Sequence, residues 1–128
     1  NLIIGATRNW CKTIIEWNLA SDENQKPHTE GGCSSCLGAV TITGNSVQRN
    51  TAYYVIAHAS KFVPPGSVRL HSSSSSTLPN VSFLTPEEKI VTIVLNDSSN
   101  KINFNIILDG KDIHSSLNAG AIGTFVLN

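Results

Sequence analysis

The sequence is short of charge, of aromatic side chains and of long hydrophobic runs. Only 14% of its 128 residues are charged, and nine basic residues balance nine acidic ones. Nucleic acids and anionic membranes require a basic face, so the zero net charge argues against both as the main partner. No apolar run approaches the ~20 residues that cross a bilayer. Asn and Ser supply much of the polarity, which suits neutral ligands and is frequent in exported proteins.

The length and the apolar content are sufficient for a folded core. At 128 residues and 40% apolar composition, the chain is one domain or one domain with part of another. It does not begin with Met, and no signal peptide opens it. We therefore expect a processed or excised piece of a longer protein.

The three cysteines leave at least one thiol unpaired. Cys33 and Cys36 are compatible with a local disulfide, a redox pair or half of a zinc site. Zinc needs two more ligands, and no second CxxC or HxxxH follows. A redox pair normally opens a helix after a strand, whereas this pair is flanked by glycines at 31, 32 and 38. We favour a disulfide that staples the loop, or two packed thiols, and we expect no metal.

The stretch from Thr13 to Gly38 carries the functional prediction. Residues 13–17 are rich in β-branched side chains, which predicts a strand buried on both faces. Residues 19–38 then form a polar, Gly-rich loop that is too long to be a simple connection. Trp17 and Asn18 lie where the strand meets this loop. A rigid strand that brings an aromatic ring and an amide to a loop is a common way to build a polar ligand site.

Helical periodicity flanks this stretch on both sides. Residues 2–12 predict an amphipathic helix with Trp10 on its core face. Residues 39–43 predict a strand, and Gly44 with Asn45 predicts a turn. Residues 50–62 predict a second helix whose buried stripe consists of Ala52, Val55, Ile56, Ala59 and Phe62. A helix, a buried strand and a helix together indicate part of an α/β architecture.

The pattern changes to short strands after Gly66. Residues 102–106 alternate between apolar and polar side chains, as a strand with one buried face does. Asp109-Gly110 separates two such runs and predicts a hairpin. The regular spacing predicts an antiparallel β-sandwich, with strands at residues 68–70, 81–85, 89–96, 101–109, 111–118 and 121–127. Asn80 and Asn96 each open a glycosylation sequon. Such a sequon is informative only in a secreted eukaryotic protein.

Three segments resemble a known family in their amino-acid sequence, order and spacing. They are Trp17-Asn18-Leu19-Ala20, the stretch from His58 to Ser67 and the stretch from Val91 to Ser99. They are similar to the C-terminal part of glycoside hydrolase family 30, which includes lysosomal glucosylceramidase and bacterial and fungal β-1,6-glucanases. The resemblance covers nearly the whole chain.

The resemblance implies a fold that is mostly β. Family members have a (β/α)8 barrel beside a β-sandwich. Residues 1–65 would be the last helix-strand-helix portion of the barrel, with residues 13–17 as its eighth strand. Residues 66–128 would be the C-terminal antiparallel β-sandwich. Active sites of such barrels lie at the C-terminal ends of the strands, which is where this assignment places Trp17.

The resemblance also implies retaining β-glycoside hydrolysis without a cofactor. In the family, both catalytic glutamates lie on barrel strands that would precede Asn1. We therefore expect no catalytic residue in this chain, no activity of the chain alone and a β-glycosidase as its parent. Glu16 would face the helix layer or a salt bridge, and Glu30 lies in the loop.

The sugar-site residues that the resemblance implies are on the strand end and the loop. Trp17 would stack on a pyranose ring, and Asn18 would bind a sugar hydroxyl or hold the loop. His28, with Asp22 and Thr29, would line outer subsites, although a solvated loop is the stronger explanation for each of these three residues. The glycine-flanked CxxC departs from the glucosylceramidase pattern and is closer to the glucanase-like members.

Several functional alternatives remain open at this point. The substrate would be a β-linked glycan or a glycolipid, and the site of action would be secreted, periplasmic or lysosomal. The missing barrel portion would be the chief protein partner, and the isolated chain would self-associate through exposed apolar faces. The alternative function is a non-catalytic β-sandwich that binds carbohydrate or braces another domain.

Overall fold

The structure is a computed structural model that describes all 128 residues. It has two helices and nine strands. In chain order these are α1 (Leu2–Arg8), β1 (Ala20–Asp22), β2 (Val40–Thr43), β3 (Ser46–Arg49), α2 (Thr51–Ser60), β4 (Val68–Leu70), β5 (Asn80–Leu84), β6 (Ile90–Leu95), β7 (Ile102–Leu108), β8 (Lys111–Leu117) and β9 (Ile122–Leu127). Neither helix has the length and hydropathy that a membrane crossing requires. The chain divides into a larger unit, residues 1–12 with 58–128, and a smaller unit, residues 13–57.

The larger unit is built from antiparallel strands, as the sequence predicted. One sheet has the order β4-β5-β6-β9, and β7 pairs with β8 in a separate hairpin. Half-buried and exposed positions alternate along β7, which confirms the predicted period of two. Asp109 and Gly110 both have positive φ, +48° and +78°. Two positive φ values are what a type I′ hairpin turn requires, so the predicted hairpin is confirmed.

A cluster of buried apolar residues in the larger unit lies on one face of the four-stranded sheet, and β6 is buried on both of its faces. Val81 and Ile93 have no exposed surface, and Phe83 packs with them. Ile4 of α1 joins this cluster. Ala59, near the end of α2, and Val63, which follows α2, pack against it. Burial of apolar area of this kind is the main favourable term in folding.

The predicted helix over residues 2–12 ends early, and its buried face is different. Helix α1 stops at Arg8 and buries Ile3 and Ile4, whereas Leu2 is 59% exposed and Trp10 is 73% exposed. The assignment of Trp10 to the core is therefore wrong. With only seven residues, α1 has no further turn that would carry the stripe on to Trp10.

The stripe predicted for the second helix lies at the predicted positions, but its residues are less deeply buried than predicted. Its five residues are half-buried, and no residue of α2 is fully buried. Near the helix end, His58 Nδ1 lies 2.8 Å from Thr124 Oγ1 of β9. Burial lowers the pKa of His58, because removal of water disfavours the charged imidazolium. This contact ties α2 to the edge of the sheet.

Asn96, which opens one of the two sequons, is a structural residue. It is fully buried, and its Oδ1 accepts from the N–H and the hydroxyl of Ser98 at 3.0 and 2.7 Å. Its Nδ2 donates to three main-chain carbonyls, at Asn100, Leu117 and Asn118. A side chain that is fully enclosed and fully bonded cannot carry a glycan. The sequon at Asn96 is therefore not accessible to glycosylation in the folded chain.

The smaller unit contains a three-stranded mixed sheet. Strand β1 runs parallel to β2, and β2 pairs with β3 through the turn at Gly44 and Asn45. Gly44 has φ +57°, a conformation that favours glycine. The predicted strand at residues 39–43 and its turn are confirmed. The exposed strand β3, Ser46–Arg49, carries no periodic signal and was not predicted.

The predicted strand at residues 13–17 is wrong in position. These residues form no strand, and Ile15 is 88% exposed. Strand β1 begins at Ala20 instead, inside the predicted loop. β-Branched residues favour an extended chain, but a strand also needs a hydrogen-bonded neighbour. Here β2 supplies that neighbour to residues 20–22.

Candidate functional site

Trp17 and Asn18 lie on an extension of the parallel pairing between β1 and β2. The carbonyl of Asn18 accepts from the N–H of Ala39 at 3.0 Å, and the carbonyl of Leu19 accepts from the N–H of Val40 at 3.0 Å. These bonds fix the main chain two residues ahead of the strand. The Trp17–Asn18 peptide is cis, and the Trp17 side chain is 71% exposed. A fixed backbone thus presents an accessible indole ring.

The side chain of Asn18 is half enclosed and has an unsatisfied polar atom. Its Oδ1 is buried and has no hydrogen-bond partner. A Cβ atom at Gly38 would lie 2.6 Å from this oxygen, a distance that side chains do not tolerate. Gly38 is itself fixed, since its N–H donates to Ser21 Oγ and its carbonyl accepts from Asn50 Nδ2. Glycine at position 38 therefore makes room for the Asn18 amide.

An unpaired buried acceptor costs about 1–3 kcal/mol, and such groups in native proteins require an explanation. The Asn18 amide makes no side-chain hydrogen bond within the protein. The Nδ2 group can donate to an external hydroxyl, whereas the buried Oδ1 is not accessible to one. The arrangement is therefore suited to a hydroxyl-rich ligand beside the Trp17 ring.

The loop residues that the sequence assigned to outer subsites are less well placed. Asp22 Oδ1 accepts from the main-chain N–H groups of Asn24 and Lys26, both at 2.8 Å. This carboxylate holds the turn after β1, which is a structural role. His28 and Thr29 are exposed. The structure shows no hydrogen bond that joins either of them to Trp17 or Asn18, so it does not assemble the predicted set into one cluster.

The cysteines and acidic residues supply no catalytic or metal centre. Cys33 and Cys36 are joined by a disulfide, and Cys11 is a free, exposed thiol. Nowhere in the chain do three His, Cys, Asp or Glu side chains come together as metal ligands. Glu16 and Glu30 are both exposed, so Glu16 is not buried against a helix of this chain, and the predicted alternatives of a helix layer or a salt bridge stay predictions.

One recess of the surface lies far along the chain from Trp17. It is a cleft of about 540 Å³ in the larger unit, lined by serines after β4 and by apolar residues of β6 and β7. No titratable cluster accompanies it, and its walls belong to the sandwich. The candidate site at Trp17 and Asn18 is an open surface rather than a pocket.

The sequence predicts Trp17 and Asn18 as site residues but does not indicate the residues that hold them. Pairing between β1 and β2 fixes Asn18, and β1 has only three residues, Ala20–Asp22. A strand this short carries no periodicity. The sequence gives only a weak indication that Gly38 makes room for Asn18, because a single glycine after a CxxC motif is also explained by a turn.

A family model and a curated relative match this chain. Residues 66–125 match the model described as the glycosyl hydrolase family 30 beta sandwich domain. The chain is 30% identical over 132 residues to the endo-1,6-beta-D-glucanase neg1 of Aspergillus fumigatus. This alignment covers 97% of the chain and 27% of the relative. The chain thus spans about a quarter of the length of the relative that it matches.

Two solved structures are similar over 97% of the chain. The crystal structure of SrfJ from Salmonella typhimurium superposes with a TM-score of 0.88 at 25% identity. The endo-beta1,6-glucanase BT3312 superposes with a TM-score of 0.77 at 31% identity. The chain covers 28% of each of these structures. Residues 66–125 therefore belong to the β-sandwich domain of glycosyl hydrolase family 30.

Proposed function

We propose that this chain is the C-terminal part of a retaining β-glycosidase. It contributes one wall of the sugar site, made by Trp17 and Asn18, together with the accessory β-sandwich. The observation that carries the proposal is an exposed indole beside an unsatisfied amide, on a backbone fixed by strand pairing. The family membership of the sandwich supports it.

The chemistry requires groups that this chain does not bring together. Retaining hydrolysis needs two carboxyl groups about 5–5.5 Å apart, one as nucleophile and one as acid and base. Glu16 and Glu30 are exposed residues of the smaller unit. The structure has no contact that would hold their carboxyl groups at this distance. In our proposal, both glutamates come from the preceding part of the parent protein.

Trp17 and Asn18 have complementary roles in the proposed site. The apolar C–H face of a pyranose stacks on the indole, and the desolvated area contributes to binding. The Asn18 amide bonds a hydroxyl at the edge of the same sugar. Orientation by one flat surface and one polar group is typical of small-molecule sites.

The proposed substrate is a β-1,6-linked glucan. Two of the similar proteins are named as endo-1,6-β-glucanases, and the glycine-flanked CxxC favours the glucanase-like members. A glycolipid such as glucosylceramide is the alternative substrate. An extracytoplasmic location agrees with the Cys33–Cys36 disulfide, since disulfides persist in oxidising compartments.

The domain assignment is part of the proposal. Residues 1–65 are the end of the (β/α)8 barrel, and residues 66–128 are the C-terminal β-sandwich. The exposed side chain of Ile15 supports this assignment, because exposed apolar surface of this kind normally packs on other elements. The missing barrel portion is then the chief protein partner. Without it, we expect the isolated chain to associate with itself.

Replacement of Trp17 by Ala in the natural gene product should lower kcat/KM for β-1,6-glucan by about 10-fold or more. Loss of a stacking contact worth about 1.5 kcal/mol corresponds to a tenfold effect. Steady-state release of reducing ends measures this change. Leu19→Ala is the matched control, since Leu19 is 76% exposed and lies two residues away. Equal rates for Trp17→Ala and wild type would remove Trp17 from the sugar site.

A further inference from the structure

We propose that Trp10, supported by Arg69, is a second glycan-binding platform that lies in the larger unit. Its ligand class is an uncharged β-linked glucose polymer. The choice of glucan rests on the proposed function, whereas the platform itself rests on the local geometry around Trp10. That geometry comprises a strained backbone, an exposed ring and a single cation–π contact.

The backbone at Trp10 is one that normally selects glycine. Helix α1 ends in a Schellman motif, in which the N–H of Cys11 donates to the carbonyl of Ala6 at 3.0 Å and the N–H of Trp10 donates to the carbonyl of Thr7 at 3.1 Å. Trp10 occupies the left-handed position with φ +69°. A residue with a Cβ atom costs about 1–2 kcal/mol there. The helix cap therefore gives no reason for tryptophan.

Packing gives no reason either. Trp10 is 73% exposed, so it contributes little to a core, which is the usual explanation for a large aromatic residue. Its one aromatic contact is with Arg69, whose guanidinium carbon lies 3.9 Å from the ring centroid. The high exposure leaves the opposite face of the indole open to solvent. A strained backbone that carries an exposed bulky side chain is a recognised pointer to function.

Arg69 makes the ring a preorganised surface. Its Nη1 donates to the carbonyl of Leu70 at 3.2 Å, and its buried Nε has no partner. The guanidinium is thus held in place by strand β4 and in turn holds the indole. A stacked contact of this kind contributes about 0.5–2 kcal/mol. Because the ring is already oriented, a ligand would not bear the full entropic cost of ordering it.

An uncharged sugar chain fits this surface better than an ionic ligand. The indole offers a flat apolar face for the C–H side of a pyranose. The N–H groups of Arg69 that are not used within the protein can donate to hydroxyls at the rim of the ring. The net charge of the chain is zero, so no general field recruits polyanions. The surface would hold a polymer, while cleavage occurs elsewhere in the parent protein.

The direct test is affinity electrophoresis of the chain in native gels that contain soluble β-1,6-glucan. We expect retardation of the wild type, retardation of the control Val47→Ala, whose side chain is 64% exposed and belongs to neither proposed site, to the same extent, and at least a tenfold weaker apparent affinity for Trp10→Gly. Thermal melting of Trp10→Gly should show no loss of folded protein, because glycine is favoured at this cap. A wild type that is not retarded, or a Trp10→Gly variant retarded as strongly as the wild type, would overturn the proposal.

Fluorescence gives a second readout, because the chain contains only two tryptophans. In Trp17→Phe, Trp10 is the single indole, and addition of glucan should shift its emission and reduce its quenching by iodide. If iodide fails to quench Trp10 in the Trp17→Phe chain without glucan, the ring is covered, and the proposal is wrong. Failure of these tests leaves the hydrolysis test of Trp17 unaffected.

Discussion

Asn96→Ala should destabilise the larger unit by about 3 kcal/mol or more. Asn96 is fully buried and accepts two bonds from Ser98. It also joins the turn after β6 to the end of β8 by donating to the carbonyls of Asn100, Leu117 and Asn118. Alanine would leave these buried groups without a partner, and each unsatisfied group costs about 1–3 kcal/mol. The midpoint and slope of urea unfolding measure the loss.

Asn103→Ala is the matched control for Asn96. Asn103 is an exposed asparagine on β7, and surface substitutions of this kind usually change stability by less than about 0.5 kcal/mol. Similar unfolding midpoints for the two variants would contradict the structural role of Asn96. A glycan attached to Asn96, detected in the intact mass of folded protein from a glycosylating host, would contradict it independently.

Ile93→Ala should cost about 2–5 kcal/mol of folding free energy. Ile93 has no exposed surface and lies in the cluster formed by Ile4, Val81 and Phe83. Truncation removes buried methylene groups and leaves a cavity that the surrounding sheet refills only in part. The same urea unfolding experiment applies, with an unchanged slope as the sign that the unfolding transition is otherwise the same.

Ile107→Ala provides the comparison at an exposed isoleucine of the same unit. Ile107 lies on β7 and is 73% exposed, so little apolar area is lost on truncation. We expect a change below about 0.5 kcal/mol. If Ile107→Ala were as destabilising as Ile93→Ala, the core would not lie where the structure places it.

The sandwich strands could be predicted from the sequence because they carry their own local signals. Residues 102–106 alternate, Asp109-Gly110 selects a turn, and the pairs β7 with β8 and β5 with β6 are formed by neighbours in the chain. Strand β1 could not be predicted in this way. It has three residues, and its parallel partner β2 begins 20 positions after the start of β1.

The chemistry of the candidate site could be predicted from the sequence, but the contacts that hold its residues in place could not. Trp17 and Asn18 stand out as an aromatic residue and an amide at the start of a polar loop. The fixed main chain of Asn18 and the space made by Gly38 depend on pairing across that loop, which no local pattern encodes. Trp10 was misassigned because helical spacing was extended past Arg8, where a left-handed cap ends α1.

The central claim is that this chain is the non-catalytic, C-terminal part of a retaining β-glycosidase. The most direct measurement compares the natural gene product with the 128-residue chain, each incubated with β-1,6-glucan or an aryl β-glucoside, by NMR of the anomeric proton. We predict that the gene product is several hundred residues long and releases the β-anomer first, and that the chain alone gives no turnover. Hydrolysis by the chain alone, or a natural product of 128 residues without hydrolysis, would contradict the account.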